Sequence, residues 1–227
     1  MSIDSKDNEI DQLFSLTENE KLITESENKF FQSYGHIKNW KWDDICQQRS
    51  IHIQFFEKYI SYVNFDILSS WAPLSFIEKY LDKISWTELS INPNIPVSFF
   101  DKQLRNEENK NKVNWCFLSC NTNIPVSFFE KHINKVSWSG LSRNRNIPVT
   151  FYEQYINKVD WYGLSGNTNI PVSFFDKQHD KVIWSYICVN PSIPVSFFEK
   201  YSDKVDWICL SYNKNKDVKY WYEKNKP

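Results

Sequence analysis

Hydrophobic and polar residues recur along this chain with one spacing, 23 residues. The Trp residues that mark the spacing are Trp115, Trp138, Trp161, Trp184 and Trp207. Each follows a segment close to Asn-x-Asn-Ile-Pro-Val-Ser-Phe-Phe-Glu-Lys and lies within one close to Lys-Val-x-Trp-x-x-Leu-Ser. A fixed period of this length is typical of stacked repeat proteins, in which each unit buries its apolar face against its neighbours.

Each repeat predicts two short helices. The segment from Ser127 to Glu130 has the Ser-x-x-Glu spacing of a capping box, which predicts the start of the first helix. The second helix carries the Trp, and we expect it to end at an Asn in the left-handed conformation, such as Asn167 or Asn169. We therefore expect first helices near residues 127–133, 150–156, 173–179 and 196–202, each followed by a short helix that contains the Trp.

The same pattern extends upstream in a less regular form. Trp86, Phe65 and Trp42 occupy the Trp position, which brings the number of units to about eight. The predicted fold is all-α, an α-solenoid of about eight short helix-turn-helix repeats with a 23-residue period. A β-solenoid is the alternative, but its turns are usually rich in Gly, and this chain has four Gly. We predict an acidic N-terminal segment, partly disordered or capping, over residues 1–29, the repeat solenoid over 30–215, and a C-terminal cap over 216–227.

Three polar columns, meaning residues at one position of successive repeats, invite functional readings. The acidic column follows the Ser by three residues and is expected to cap helices rather than to bind metal. The lysine column precedes the Trp by three residues and is expected to pair with the acidic column or to cover the Trp with its methylene stem, rather than to contact phosphates. The Asn pairs are expected to form a ladder of hydrogen bonds between turns. The acidic column is Glu57, Glu78, Asp101, Glu130, Glu153, Asp176 and Glu199, and the lysine column is Lys83, Lys112, Lys135, Lys158, Lys181 and Lys204.

Composition restricts the function further. The net charge is −1, which argues against a nucleic-acid partner, because dedicated nucleic-acid binders are usually clearly basic. The chain has five Cys, an odd number without paired spacing, which favours reduced thiols in an intracellular setting. It shows neither an apolar run of transmembrane length nor a signal-peptide start. We expect an intracellular, cytoplasmic protein without membrane contact; its oligomeric state stays open.

Catalytic and metal chemistry have no candidate residues in the sequence. The four His lie at unrelated repeat positions, and none has a second ligand at a useful spacing. The pattern offers neither a nucleophile with a His and an acid partner nor a glycine-rich phosphate loop. The sequence therefore predicts no enzyme, no catalytic residues, no metal and no cofactor.

The segment from Trp86 to Pro96, Trp-Thr-Glu-Leu-Ser-Ile-Asn-Pro-Asn-Ile-Pro, resembles the short tandem repeats of mostly uncharacterised proteins from nucleocytoplasmic large DNA viruses. Their unit runs roughly Trp-x-x-Leu-Ser-x-Asn-Pro-Asn-Ala-Ile, then Leu-Leu-Glu-Lys, and the resemblance covers residues 42–215. The chain departs from it in having Phe-Phe for Leu-Leu, and it keeps Asn-Pro only at Asn92-Pro93 and Asn190-Pro191. The resemblance implies an α-solenoid of viral origin, located in the host cytoplasm or the virion, and it implies no particular activity.

Variable columns indicate where a partner would bind, because the invariant columns of a solenoid form its core. Aromatic residues occur in the variable columns after the Trp and after Leu-Ser, so they are either exposed anchors or parts of the core edge. A six-residue insertion at residues 103–111 is expected to bulge as a loop or to prolong the first helix without joining the core, and it would mark the binding side. The candidate binding residues are Phe117, Tyr162, Tyr186, Tyr212, Arg105 and Arg143.

These observations predict a non-enzymatic scaffold or adaptor, viral in origin, that binds another protein of the host or the virus along the solenoid surface. One alternative is a structural virion component, a spacer in a capsid or tegument. Another is a nucleic-acid-binding repeat array, in which Lys ladders and stacked aromatic residues contact one strand.

Overall fold

The structure is a computed structural model that describes residues 18–227. Within this range it contains α-helices, two short 3-10 helices and no strand. The helices fall into two compact units, one up to Ile95 (unit 1) and one from Pro96 to Pro227 (unit 2). The all-helical repeat architecture confirms the predicted fold class, an α-solenoid of short repeats. The beginning of the predicted N-terminal segment, with Asp4, Asp7 and Glu9, lies outside the described residues.

Two kinds of short helix alternate along the chain. Those that begin at the Trp position, here called Trp helices, span Trp42–Cys46, Phe65–Ser69, Trp86–Ile91, Trp115–Cys120, Trp138–Arg143, Trp161–Ser165, Trp184–Val189 and Trp207–Leu210. Those with Phe at their third residue, here called Phe helices, span Ile53–Lys58, Leu74–Lys79, Val97–Arg105, Val126–Lys131, Val149–Gln154, Val172–Lys177 and Val195–Lys200. A helix at Glu18–Tyr34 precedes them and one at Lys216–Asn225 follows; the 3-10 helices span Ile37–Asn39 and Ser202–Lys204.

The Phe helices lie where the sequence predicts them, but they begin differently. The helices Val126–Lys131 and Val149–Gln154 each begin one residue before the predicted Ser or Thr. The N-cap of Val126–Lys131 is Pro125, at φ −70° and ψ 150°, and it makes no side-chain cap hydrogen bond. The capping-box prediction is therefore wrong. Proline fixes the extended step into the helix, which leaves the Ser inside the first turn.

Side-chain caps occur instead at the Trp helices, where the sequence analysis placed none. The Asn114 side chain accepts hydrogen bonds from the backbone N–H groups of Cys116 and Phe117. Asp160 does the same for Tyr162 and Gly163, which are the second and third residues of their helix. Asn64, Ser85, Ser137 and Asp206 cap their helices in the same way, whereas Lys41 and Ile183 make no side-chain cap. A polar residue before the Trp thus satisfies amides that a two-turn helix leaves free at its start.

The ends of the Trp helices also differ from the prediction. Asn144, the C-cap of Trp138–Arg143, has φ −73° and ψ 117°, and Asn190 has φ −74° and ψ 113°. Both are extended rather than left-handed, so the expected αL cap is wrong. The Asn side chain at this position instead donates hydrogen bonds to the preceding repeat.

A ladder of buried Asn side chains confirms the predicted hydrogen bonding between turns. In unit 2, the Asn167 amide nitrogen donates to the carbonyl oxygens of Ser142 at 3.1 Å and Asn144 at 3.2 Å. The partners lie 25 and 23 residues earlier, one repeat back. The carboxamide oxygen of Asn167 accepts from the backbone N–H of Asn169, whose own side chain donates to the Arg145 carbonyl at 2.7 Å. The same contacts are made by the rungs Asn144, Asn190 and Asn213.

The Ser of each Leu-Ser segment joins consecutive repeats from the same place. The Ser142 hydroxyl accepts a hydrogen bond from the backbone N–H of Asp160 at 2.9 Å, while its carbonyl accepts from Asn167. In unit 1, Cys46 replaces this Ser, and its sulfur accepts from the Asn64 N–H at 3.4 Å. The substitution keeps the contact, because a thiol sulfur is a weak acceptor.

The core is formed by Leu, by the Ile before each Pro and by the aromatic pair. Leu164 is fully buried, Ile170 and Phe174 are each 3% exposed, and Phe175 is fully buried. Complete burial of such side chains contributes roughly 1.5–3 kcal/mol each. The Trp is only half-buried, contrary to its expected place in the core. Trp161 instead stacks on Phe174 of its own repeat, with ring centroids 6.0 Å apart and planes at 20°.

Both terminal helices cover the apolar end of the repeat beside them. In unit 1, Phe30 on the first helix is 3% exposed and lies 5.7 Å from the Phe55 ring, and Tyr59 donates to Glu27 at 2.9 Å. In unit 2, Val218 on the last helix is fully buried, and Trp221 stacks on Trp207 at 5.4 Å.

Three residues of the acidic column, Glu57, Asp101 and Asp176, form ion pairs between repeats, and the Phe helices that follow a Pro have no side-chain cap, so the capping prediction is wrong. Asp176 pairs with Lys200 at 2.6 Å and accepts a hydrogen bond from the Tyr201 hydroxyl at 2.8 Å. Lys200 and the Tyr201 hydroxyl both lower the pKa of Asp176 below its ordinary value. Of the lysine column, Lys158 lies over the Trp138 ring at 5.9 Å, as predicted for a stem that covers the Trp.

The insertion lengthens one Phe helix, to Val97–Arg105, which is one of the two predicted outcomes. It also adds to the buried interior, contrary to prediction. Gln103 is 4% exposed and Asn109 is 6% exposed, and the Asn109 amide donates to the Gln103 side-chain oxygen at 2.8 Å. Two polar side chains enter the interior because each satisfies the other there.

Candidate interaction surface

Consecutive Trp helices of unit 2 pack against each other, so corresponding residues on successive helices share one face. The Leu and Ser of each helix point inward and are fully buried, as Leu141 and Ser142 show. The residues one position after the Trp and the residue after Leu-Ser lie away from this buried side; two positions after the Trp, Phe117 and Tyr186 are exposed, whereas Gly140 and Gly163 are buried. We call the side formed by these three variable columns in residues 115–212 the outer Trp-helix face.

Two glycines allow the Trp helices of unit 2 to approach closely. A Cβ atom added to Gly140 would lie 2.8 Å from the Cys116 carbonyl oxygen and 2.8 Å from the Ser119 Cβ. One added to Gly163 would lie 3.1 Å from both the Arg143 Cγ and the Ser142 Cβ. The helix spacing at these two contacts therefore depends on the missing side chain.

The aromatic residues predicted as anchors are exposed on the outer Trp-helix face. Phe117 is 39% exposed, Tyr162 55%, Tyr186 44% and Tyr212 71%. These rings therefore lie at the surface and do not belong to the edge of the core. Ile208, in the same column as Tyr162, is 76% exposed and adds an apolar residue that the sequence analysis did not select.

Three of the predicted residues meet in one groove. The Tyr162 and Tyr186 rings contact each other edge to face, with centroids 5.7 Å apart. The Arg143 guanidinium donates to the Ser139 carbonyl at 2.9 Å and lies 3.5 Å from the Asp160 carboxylate. The groove is lined by Arg143, Arg145, Tyr162, Gly163, Gly166, Asn167 and Tyr186.

Arg145 is the groove residue that the sequence analysis missed. It lies between the ladder residues Asn144 and Asn146, is exposed, and has no acidic side chain within 4.0 Å among the residues that the structure describes. The middle residue of the Asn-x-Asn segment varies between repeats, which was the signal available in the sequence. The ladder holds this loop in place, because Asn169 donates to the Arg145 carbonyl.

Arg105, another predicted binding residue, lies apart from these residues. It is the last residue of a Phe helix, Val97–Arg105, and lines a separate shallow depression. That depression also contains Asp101, which is paired with Lys131 at 2.6 Å. The structure therefore places Arg105 with the Phe helices and not on the outer Trp-helix face.

The titratable residues of the described chain form no cluster suited to metal. No group of three or more His, Cys, Asp or Glu could hold an ion between residues 18 and 227. All five Cys are free thiols. Burial raises the pKa of Cys188 to about 12 and also raises the pKa of Cys46, which keeps both sulfurs protonated near neutral pH. In the same range, no helix has the length and apolar character needed to span a bilayer.

Comparison with known proteins yields no relative: no family model, no curated protein and no solved structure matches the chain.

Proposed function

We propose that the chain is a non-enzymatic repeat scaffold that binds another protein along the outer Trp-helix face. The observation that carries the proposal is the row of exposed Phe117, Tyr162, Tyr186 and Tyr212 on helices whose inner side is fully buried. Folding does not require large rings at these positions, since other repeats have Ser139 or Gly166 in the same columns. Aromatic side chains bury much area at low entropic cost, which is why they anchor protein interfaces.

Charge supports a protein partner over a nucleic acid. On the outer Trp-helix face, the three variable columns contain one cation, Arg143. A strand of nucleic acid is usually held by a continuous track of cations, one near each phosphate. Two members of the lysine column are already engaged within the chain, since Lys158 lies over the Trp138 ring and Lys204 pairs with Asp180 at 3.0 Å. We further propose, on the resemblance to viral tandem repeats, that the partner is a host or viral protein.

Partner capture from infected-cell lysate tests the proposal. The bait is the full chain, compared with a variant that carries Tyr162→Ser, Tyr186→Ser and Tyr212→Ser. Tyr220→Ser is the matched control, since Tyr220 is 63% exposed but lies on the C-terminal helix. We expect the triple variant to lose proteins that the wild type and the control both retain after nuclease treatment, with unchanged melting temperatures. An identical set of captured proteins for all three baits would refute the proposal.

A further inference from the structure

We propose that the groove of unit 2 formed by Arg143, Arg145, Tyr162, Gly166 and Tyr186 recognises an acidic peptide segment of the partner protein. This inference rests on the proposed scaffold function and specifies the chemistry of one part of that face. The bound peptide would place a carboxylate between the two guanidinium groups, and its backbone would lie over Gly166, which forms the floor of the groove.

The two arginines supply charge that the chain itself only partly neutralises. Arg143 has a single acidic neighbour, Asp160, at 3.5 Å, and its side chain is 53% exposed. Arg145 has no acidic side chain within 4.0 Å in the described part of the chain. Guanidinium groups bind carboxylates through two parallel N–H donors, so two of them on one groove favour Asp or Glu side chains.

The floor of the groove is open for a reason other than helix packing. A Cβ atom on Gly166 would meet only ordinary contacts, with the Tyr186 Cδ1 at 3.6 Å and the Gly163 carbonyl oxygen at 3.8 Å. Gly166 has φ −84° and ψ −8°, a conformation that any residue adopts. Unlike Gly140 and Gly163, it is not required by a neighbouring helix, and its missing side chain leaves space in the groove beside the Tyr186 ring.

The rings favour a peptide over a nucleic-acid base. Tyr162 and Tyr186 contact each other at an interplanar angle of 86°, so they do not form a parallel pair that could enclose a base. Two perpendicular rings instead offer apolar surfaces at a right angle to each other, against which an extended peptide can pack. The Tyr hydroxyl groups are also hydrogen-bond donors, which suits the carboxylate and carbonyl oxygens of a peptide.

Repeat columns provide substitutions that the fold already accepts. Arg145→Thr places at this position the residue found at Thr122 and Thr168. Lys214→Thr is the matched control, because Lys214 is an exposed cation in the same column but does not line the groove. Gly166→Ala adds one methyl group to the floor without an expected loss of stability.

The experiment selects peptides from a random dodecapeptide phage library on the full chain. The proposal expects enrichment of Asp and Glu, and the best peptide is then synthesised with fluorescein, alongside a version in which Asn and Gln replace its acids. By fluorescence anisotropy, Arg145→Thr and the neutral peptide should each weaken binding about tenfold or more. Lys214→Thr should change it less than twofold, and Gly166→Ala should weaken it at an unchanged melting temperature.

Several outcomes would overturn acid recognition. They are selected peptides without acid enrichment, equal effects of Arg145→Thr and Lys214→Thr, or a labelled U12 oligonucleotide that binds more tightly than any peptide. If neutral peptides were selected and lost binding in Tyr162→Ser, acid recognition would fail while the scaffold function stood. If Tyr162→Ser, Tyr186→Ser and Tyr212→Ser changed neither peptide binding nor partner capture, both proposals would fail.

Discussion

Both units place a side-chain donor on the carbonyl of the Leu-Ser segment, but unit 1 uses an indole in one repeat and Asn92, bonded to Ser69, in another. In unit 2, the carbonyl of the Leu-Ser segment accepts from an Asn of the next repeat, as Ser142 does from Asn167 at 3.1 Å. In unit 1, the carbonyl of Cys46 accepts from the Trp71 indole N–H at 2.8 Å. Trp71 lies 25 residues after Cys46, the separation of Asn167 from Ser142, so the indole replaces the ladder Asn in its own column. The fold therefore requires a donor at this carbonyl and does not require a particular residue.

The units differ more on their exposed columns. In unit 1, the two positions after the Trp carry Asp43, Asp44, Asp66 and Glu88, whereas the same columns of unit 2 contain no acid. The buried columns of both units stay alike, since Leu68 and Leu141 are each fully buried. Packing restricts the inner positions, and the outer positions are free to carry a binding preference particular to each unit.

The largest expected effect tests the exceptional rung of unit 1. Trp71→Ala should destabilise the chain by about 4–5 kcal/mol, because it removes a ring that is 7% exposed and leaves the Cys46 carbonyl without its donor. Trp71→Phe keeps much of the ring but not the N–H group, and should cost about 1–3 kcal/mol. Denaturant unfolding measures both. If Trp71→Phe were as stable as the wild type, the indole would not be a rung of the ladder.

Substitution of a regular ladder Asn in unit 2 should destabilise the chain somewhat less than Trp71→Ala does. Asn167→Ala leaves the carbonyl groups of Ser142 and Asn144 buried without this donor, and we expect a loss of about 3 kcal/mol. Asn169→Ala is the control from the same loop, because its bond to Arg145 lies at the surface. It should cost below about 1 kcal/mol. Equal losses in urea unfolding would contradict the distinction between buried rungs and exposed ones.

A smaller effect is expected where the Trp helices of unit 2 approach most closely. Gly140→Ala should cost about 1–2 kcal/mol, because the new methyl group would lie 2.8 Å from the Cys116 carbonyl. Gly166→Ala, with no contact below 3.6 Å, should be neutral or stabilising by up to about 1 kcal/mol. Within the column of Gly140, Gly occurs only at Gly140 and Gly163, both in unit 2. Melting curves should therefore shift to lower temperature for Gly140→Ala and not for Gly166→Ala.

The smallest effect concerns a column that holds Tyr59 and Tyr80 in unit 1 and is mixed in unit 2, where Tyr155 and Tyr201 remain but His132 and Gln178 occur. The His132 Nε2 is buried without a hydrogen-bond partner and lies 3.6 Å from the Asp101 carboxylate. His132→Tyr should place a hydroxyl group against Asp101, as Tyr201 places one against Asp176. We expect this to stabilise the chain by less than about 1 kcal/mol.

The pH dependence of stability distinguishes this substitution from simple repacking. Burial lowers the pKa of His132 below its ordinary 6.5, and the Asp101 carboxylate only partly opposes this. Because the unfolded chain then binds the proton more readily, the wild type has its full stability above about pH 6.5 and loses some as the pH falls through that value. His132→Tyr should remove this loss between pH 7 and 5. An unchanged slope in thermal melts would contradict the assignment.

The period, the two-helix unit and the Asn ladder could be predicted from the sequence, because each depends on residues that repeat. Helix starts could not, since Pro125 and Ser127 both suit a helix N-terminus and only the backbone shows that Pro125 is the cap. The acidic column was misjudged because its partner is a Lys one repeat away, as in Asp176 and Lys200. Arg145 was missed because its position between the two Asn residues varies from repeat to repeat, so the repeat pattern assigns it no role.

Since each Asn of the ladder bonds to carbonyls 23 and 25 residues earlier, every repeat of unit 2 carries both the group that binds its predecessor and the groups that its successor binds. A duplicated 23-residue segment would therefore arrive with a matching donor on one side and matching acceptors on the other. Gene copying errors that add or remove whole repeats can then change the array's length without a compensating mutation elsewhere. Across the two-residue deficit between Phe65 and Trp86, by contrast, the ladder Asn meets a partly different pair of carbonyls: Asn92 donates to Ser69 and Ala72, which lie 23 and 20 residues earlier.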